Sequence, residues 1–170
     1  MTSKDPLPRP SKRVIFECME PPSTVGALAL AYLYTIQEGN QEKTSKLFNE
    51  NASYLIQCTQ SSQVDLQDYS LLLTLKALES QDVRIKKAIL KANGIEAFCK
   101  LMKNPHKHVR LMSIEICDSL YKNFESAQRV FIRNKGEWEL VQLMKREGDD
   151  ERVLVGLLEF VFDLVFVRVT

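Results

Sequence analysis

The chain has 170 residues, of which 45% are hydrophobic and 26% are charged, an ordinary content for a folded globular protein. Its formal net charge of +1 excludes a global field that would draw the whole molecule to nucleic acid or to an anionic membrane. Any electrostatic function therefore has to come from local clusters of charge.

The N-terminal part begins with a polar, proline-rich stretch and continues into an incomplete helical pattern. Residues 1–10 predict a disordered tail and lack the apolar core of a secretory signal. Residues 11–39 contain what we interpret as a second helix, a polar break and a third helix, without the first helix of the set. Apolar residues recur at helical spacing in the last of these, at Val25, Leu30, Leu33 and Ile36.

An internal repeat follows, in which the same pattern returns twice at a constant step. Each copy carries an apolar pair shortly before a small residue, and the three copies lie at 46–52, 88–94 and 130–136. The small residue that ends each copy is Ala52, Gly94 or Gly136, and we call the step from one of these residues to the next the repeat length. The repeat defines units at about 40–80, 82–124 and 125–167.

The end of each copy predicts a turn between a first and a second helix. The pairs Asn93–Gly94 and Lys135–Gly136 fit a turn in which the small residue adopts a positive φ as the first helix stops. We therefore expect each unit to change direction at this point.

Each unit then continues with a second helix, a polar break and a longer third helix. The breaks lie at 61–63, 103–105 and 147–150, and the third helices start near Leu66, Val109 and Val153. In the middle unit, Ile114 and Cys117 share the helical phase of Val109, so they are predicted to be buried. No β-pattern of any length competes, and the predicted fold class is all-α.

Three-helix units of this length resemble armadillo repeats, most clearly over 88–124. The resemblance covers roughly residues 11–167 and implies a right-handed α-solenoid of about three and a half units, whose third helices line a concave partner-binding face. Many members of the family hold an extended peptide with a tryptophan and an asparagine on each third helix. That ladder is absent here, where the matching positions hold Leu72, Glu115 and Glu159, and Lys76, Ser119 and Asp163. The departure argues against capture of an extended peptide and leaves the scaffold interpretation in place.

Local charge favours a docking surface in the middle unit. Residues 84–110 contain eight basic residues against one acidic residue, whereas residues 137–163 contain eight acidic residues against three basic ones. We expect the basic unit to bind an acidic protein segment, with simple hydration of its side chains as the alternative. The predicted partner-binding residues of the third-helix face and the basic unit are Tyr69, Leu72, Lys76, Arg84, Lys87, Lys91, Lys103, Lys107, Arg110, Met112, Glu115, Ser119, Glu159 and Asp163.

Other classes of function are not favoured by the residues. The six glycines form no phosphate-binding loop, and His106 and His108 have no further metal ligands beside them in the sequence. Cys99 and Cys117 follow core-facing helical patterns, where burial keeps a thiol protonated and unreactive. Nucleic-acid binding lacks aromatic residues interleaved with the basic ones, because Phe98 fits the core pattern. We therefore predict no enzyme, no metal and no cofactor, and we retain an anionic-surface binder only as a lesser alternative.

The compartment can be inferred from cysteine usage and from the longest apolar stretch. The four cysteines are scattered along the chain and form no closely spaced pair, a distribution that favours free thiols in a reducing compartment. The apolar stretch 153–167 is interrupted by Glu159 and Asp163 and is too short to span a bilayer. We expect a cytoplasmic or nuclear protein without integral membrane association.

The last predicted helix is apolar on more than one side. One set of residues (Val153, Leu157, Val161 and Leu164) suffices to pack against its own unit. The second set has no later unit to cover it, although a terminal repeat normally carries a polar outer face. Either the array is longer than this chain, or another surface covers the set. The alternative function is therefore self-association, such as a homodimer, through Leu158, Phe162 and Phe166, with Phe160 in the same uncovered set.

Overall fold

The computed structural model describes residues 40–146 and 151–166. In these two ranges the chain forms eight helices and no strand, which confirms the all-α prediction for this part of the protein. The predicted tail, the incomplete first copy and the break at 147–150 lie outside the described residues. The helices are α1 (Gln41–Thr59), α2 (Val64–Leu78), α3 (Val83–Lys91), α4 (Gly94–Leu101), α5 (Lys107–Tyr121), α6 (Glu125–Arg133), α7 (Gly136–Arg146) and α8 (Glu151–Phe166).

The repeat length reappears in the backbone where the helices are interrupted. Helix α1 is kinked at Asn51, with φ −131° and ψ 17°, and Asn93 and Lys135 follow at successive repeat lengths with φ of 56° and 59°. A second left-handed pair, also one repeat length apart, precedes α3 and α6, with φ of 54° at Gln81 and 57° at Asn123. The chain therefore changes direction at corresponding points of successive units.

The two turn glycines have a different role from the one predicted. The positive φ belongs to the residue before each glycine, while Gly94 and Gly136 are the first residues of α4 and α7. A Cβ on Gly94 would lie 2.5 Å from Ile89 Cγ2, and a Cβ on Gly136 would overlap the ring of Phe131. The prediction of a positive φ at the glycine was therefore wrong. Glycine is favoured at these two positions because a side chain of the preceding helix packs directly against them.

Helices of successive units pack on one another in series. Helix α1 contacts α2 and α3, and α4 contacts α6. The helices α2, α5 and α8, which we call the third helices, contact one another in that order. Residues at matching positions of these three helices therefore lie in rows across the array.

A cluster of aromatic rings joins the last two units. Tyr121 of α5, Phe131 of α6 and Phe160 of α8 are all buried, and their ring centroids lie 5.1 to 5.9 Å apart. Such ring pairs contribute about 0.5–1.5 kcal/mol beyond the area they bury. Phe160 therefore belongs to the core, which corrects its predicted place in the uncovered set of the last helix.

The helical phase of α5 is as predicted, because Val109, Ile114 and Cys117 are all buried and Ile114 is only 1% exposed. We expect Ile114→Ala to lower the free energy of unfolding by about 2–5 kcal/mol, since it removes a buried side chain and leaves a cavity. Urea unfolding followed by circular dichroism measures the loss. The exposed neighbour Glu115 supplies the control Glu115→Ala. A loss below about 0.5 kcal/mol for Ile114→Ala would contradict this phase.

Candidate interaction surfaces

A groove of about 460 Å³ lies between the third helices α2 and α5. Three leucines supply its apolar surface, and charged and polar side chains supply the rest. Four of the predicted partner-binding residues, two from each helix, come together in it. The residues that line the groove are Leu72, Leu75, Lys76, Leu78, Glu79 and Gln81 on one side and Glu115, Asp118 and Ser119 on the other.

Five lining residues were not predicted from the sequence, and their positions explain how they could have been found. Leu75 and Asp118 lie three residues after Leu72 and Glu115, so they are neighbours on the same helix faces. Glu79 stands three residues after Lys76, and the two side chains form an ion pair of 2.6 Å. The prediction left out Leu75 and Asp118, which lie between the predicted positions, and the residues of α2 and its end that follow Lys76.

The end of the groove at α5 holds a partly buried carboxylate. Asp118 forms an ion pair of 2.7 Å with Lys122, which also reaches Asp163 of α8 at 2.9 Å. The other oxygen, Oδ1 of Asp118, is buried and accepts no hydrogen bond from the described residues. Burial raises the pKa of Asp118 above its ordinary value although Lys122 acts in the opposite direction. Desolvation therefore outweighs the ion pair at this carboxylate.

The third-helix face is acidic across α5 and α8. Burial raises the pKa of Glu115 above its ordinary value, and the nearby negative charge of Glu159 raises it further. Glu159 and Asp163 occupy the positions of α8 that match Glu115 and Ser119 of α5. The face that lines the groove thus has the opposite sign to the basic side chains predicted for the middle unit.

The remaining predicted residues of α2 and α5 lie beside the groove. Tyr69 and Met112 are half-buried and pack against the core, and neither is among the lining residues. Lys107, at the start of α5, is half-buried. The two helices are joined near their N-termini by His108 Nε2 and Asp68 Oδ1, which are 2.9 Å apart. Tyr69, Met112 and Lys107 therefore lie outside the groove lining, and the contact of His108 with Asp68 joins α2 to α5 beside it.

Two basic residues of the middle unit are structural. Arg110 is buried, and its guanidinium donates to the carbonyls of Asn104 and Pro105, both at 2.9 Å, so it holds the loop before α5. Lys86 is also buried; its Nζ donates to the carbonyl of Lys122 at 3.0 Å, and burial lowers its pKa. Arg110 is therefore not the exposed docking residue that the sequence predicted.

The other basic residues of this unit are divided between different faces. Arg84 pairs with Asp82 at 2.7 Å, and Lys103 pairs with Glu139 of α7 at 2.8 Å. Lys87 and Lys91 are exposed on α3. The local excess of positive charge is consequently smaller and more dispersed than a count along the sequence indicates.

The outer side of α8 exposes apolar side chains. Leu158 is 48% exposed and Phe162 is 58% exposed, whereas Leu71 and Ile114, which match Leu158 on α2 and α5, are 0% and 1% exposed. The earlier helices are covered because each contacts the next third helix, and no described helix follows α8. The side chain of Phe166, the third predicted self-association residue, lies outside the described residues.

The described cysteines are buried and free. They are Cys58, Cys99 and Cys117, and burial raises the pKa of the first and the last of them. Within residues 40–146 and 151–166, no group of three histidine, cysteine or acidic side chains is placed to hold a metal ion. No helix in the same two ranges is long and apolar enough to cross a membrane.

Comparisons with known proteins give a likeness in fold. The sequence matches no protein-family model and no curated protein. The structure is similar to the crystal structure of an engineered protein, with a TM-score of 0.68 and 18% sequence identity. The match covers 86% of this chain and 62% of the engineered protein, so the chain spans less than two thirds of that protein's length. At this identity, the likeness shows a shared all-helical fold.

Proposed function

We propose that this chain is a non-catalytic scaffold that binds a partner protein, built as a right-handed α-solenoid of armadillo-like units. The recurrence of left-handed residues at the repeat length supports the armadillo-like organisation. The observation that carries the function is the groove between α2 and α5, because it unites four residues that the third-helix pattern predicted. The buried free thiols suit a reducing compartment, and we propose the cytoplasm or the nucleus.

The groove has the chemistry of a protein-docking site. Its leucines offer apolar surface that a partner side chain can cover, and burial of one such side chain contributes about 1.5–3 kcal/mol. Lys76 and Glu115 stand at its two sides and can fix the orientation of a polar partner group. Because the groove lies between two packed helices, its shape is set before a partner arrives, which lowers the entropic cost of binding. The basic residues that stay exposed in the middle unit supply additional contacts.

We expect Ser119→Arg to weaken partner binding by about tenfold or more, because the long side chain occupies the groove from α5. The matched control is Ser126→Arg, which changes another half-buried serine on α6, away from the groove. Proteins captured by the unmodified chain are identified by mass spectrometry, and their affinities for the three forms are then measured by calorimetry. If every captured protein binds the two variants equally well, the groove is not the docking site.

A second candidate function is assembly through the exposed side of α8. The contrast between Leu158 and its matching residue Ile114, which are 48% and 1% exposed, favours this candidate. Helices α2 and α5 bury their side chains at this position, so the exposed apolar side chains of α8 offer a surface on which another helix can pack. The two functions are separated by solution mass, since a scaffold with one open groove stays monomeric while an assembly element dimerises with rising concentration.

A further inference from the structure

Exposed basic side chains recur at matching positions of α3 and α6. Lys87 and Arg129 are one repeat length apart, as are Lys91 and Arg133, and all four are exposed. On each helix the two residues are four apart and therefore share a face. We call these four residues the basic ladder.

The residues that precede Lys87 and Arg129 both reach the C-terminal end of α5. Lys86 donates to the carbonyl of Lys122, in the turn that leads into α6, at 3.0 Å. Gln128, at the matching position of α6, donates to the carbonyl of the adjacent Tyr121, the last residue of α5, at 2.9 Å. Lys86 and Gln128 thus point towards the array, and the residues that follow them, Lys87 and Arg129, are exposed. Because the units repeat, the ladder residues of the two helices face the same side.

Little negative charge balances the ladder. Glu125 is the only acidic residue of the two helices, and it pairs with Arg129 at 3.3 Å with both side chains largely exposed, a geometry that contributes little. Within the described part of the chain, Lys87, Lys91 and Arg133 form no ion pair. Arg84, Lys100 and Lys103 of the middle unit, in contrast, each pair with an acidic residue. The ladder is therefore a positive surface, on other helices than the acidic third-helix face.

We propose that the basic ladder docks an acidic segment of a partner protein. This inference rests on the proposed function, since both assume that the chain binds a protein partner. It adds a second binding surface, which is separate from the groove. Pairs of cations at four-residue spacing on matching helices of adjacent units match carboxylates repeated along one segment, and the arginines can bind a carboxylate with two parallel hydrogen bonds. A nucleic acid is less suited, because the only aromatic residue of α3 and α6, Phe131, is buried and cannot stack on a base.

The test uses the full chain and a fluorescein-labelled oligo-glutamate peptide, with binding measured by fluorescence anisotropy at low salt. The ladder variant Lys91→Glu/Arg133→Glu is expected to weaken binding by about tenfold or more. The matched control Lys100→Glu/Lys145→Glu makes the same change in net charge at two exposed lysines outside α3 and α6. It is expected to weaken binding by no more than about threefold. Circular dichroism establishes that both variants remain helical.

Three results would overturn the proposal: no binding of the peptide, equal weakening by the ladder and control variants, or tighter binding of single-stranded DNA or of phosphatidylserine vesicles than of the peptide. The groove variant Ser119→Arg separates this proposal from the scaffold function. It is expected to bind oligo-glutamate as the unmodified chain does, because Ser119 is on α5. If Ser119→Arg loses a captured partner while the peptide assay is negative, the groove function stands and the ladder is not a docking site.

Discussion

Phe160→Ala is expected to lower the free energy of unfolding by about 3–5 kcal/mol, because it empties the centre of the aromatic cluster. Phe160 is 0% exposed, and its ring centroid lies 5.7 Å from that of Tyr121 and 5.1 Å from that of Phe131. Its removal takes away contacts that join α8 to both α5 and α6. The loss is measured by guanidinium unfolding followed by circular dichroism, at protein concentrations low enough to suppress self-association.

The matched control for this change is on the same helix. Phe162 is the same residue type two positions later and is 58% exposed, so Phe162→Ala is expected to change the free energy of unfolding by less than about 0.5 kcal/mol. The pair tests the rotation of α8 about its own axis, because a helix turned by half a turn would exchange the two effects. Equal losses for the two variants would contradict the burial of Phe160 beside Tyr121.

The all-α fold and part of the groove could be predicted because they depend on spacing along the sequence. The burial of Ile114 and Cys117 follows from the apolar phase of one helix. Leu72 and Ser119 were assigned to the third-helix face by the resemblance to armadillo repeats, and both line the groove. Side chains at matching positions come together when the helices that carry them pack in series. Periodicity therefore identifies a shared face, although it does not show how many turns of that face a groove uses.

The features that could not be predicted depend on packing between helices. Helix α8 is apolar on several sides, so its sequence does not indicate which side faces the core. Phe160 is in the core because its ring packs against Tyr121 of α5 and Phe131 of α6. A count of charge along the sequence cannot recognise that Arg110 and Lys86 bury their stems and donate to backbone carbonyls. The role of Gly136 likewise depends on the ring of Phe131, which lies where its Cβ would be.

A count along the sequence also mixes residues that belong to different faces. It combined Lys87 and Lys91 of α3 with Lys103, which follows α4, whereas Arg129 and Arg133 occupy the positions that match the first two in the next unit. In a repeat array, the charge of a surface follows matching positions in successive units rather than consecutive residues. Grouping by position gives a basic surface on the first helices and an acidic surface on the third helices.

The largest effect on assembly is expected at the exposed side of α8. If two copies pack there, each buries Leu158 and Phe162, and burial of each of these side chains contributes about 1.5–3 kcal/mol. Under the second candidate function, we expect the unmodified chain to form a dimer whose fraction rises with concentration, measured by sedimentation equilibrium. Leu158→Gln/Phe162→Gln is expected to weaken the dimer by more than about a hundredfold, which corresponds to the loss of about 3 kcal/mol, and to keep the helical circular dichroism.

A matched control distinguishes this surface from general loss of exposed apolar area. Val83 and Ile132 are 50% and 41% exposed on α3 and α6, so Val83→Gln/Ile132→Gln also replaces two exposed apolar side chains but leaves α8 intact. This control is expected to dimerise as the unmodified chain does. Glu159 lies between Leu158 and Phe162 in the sequence, and its charge would be repeated across a symmetric contact, so added salt should strengthen the dimer by screening that repulsion. Two results would exclude α8 as the self-association surface. The unmodified chain could stay monomeric at high concentration and high salt, or the control could dissociate as readily as the α8 variant.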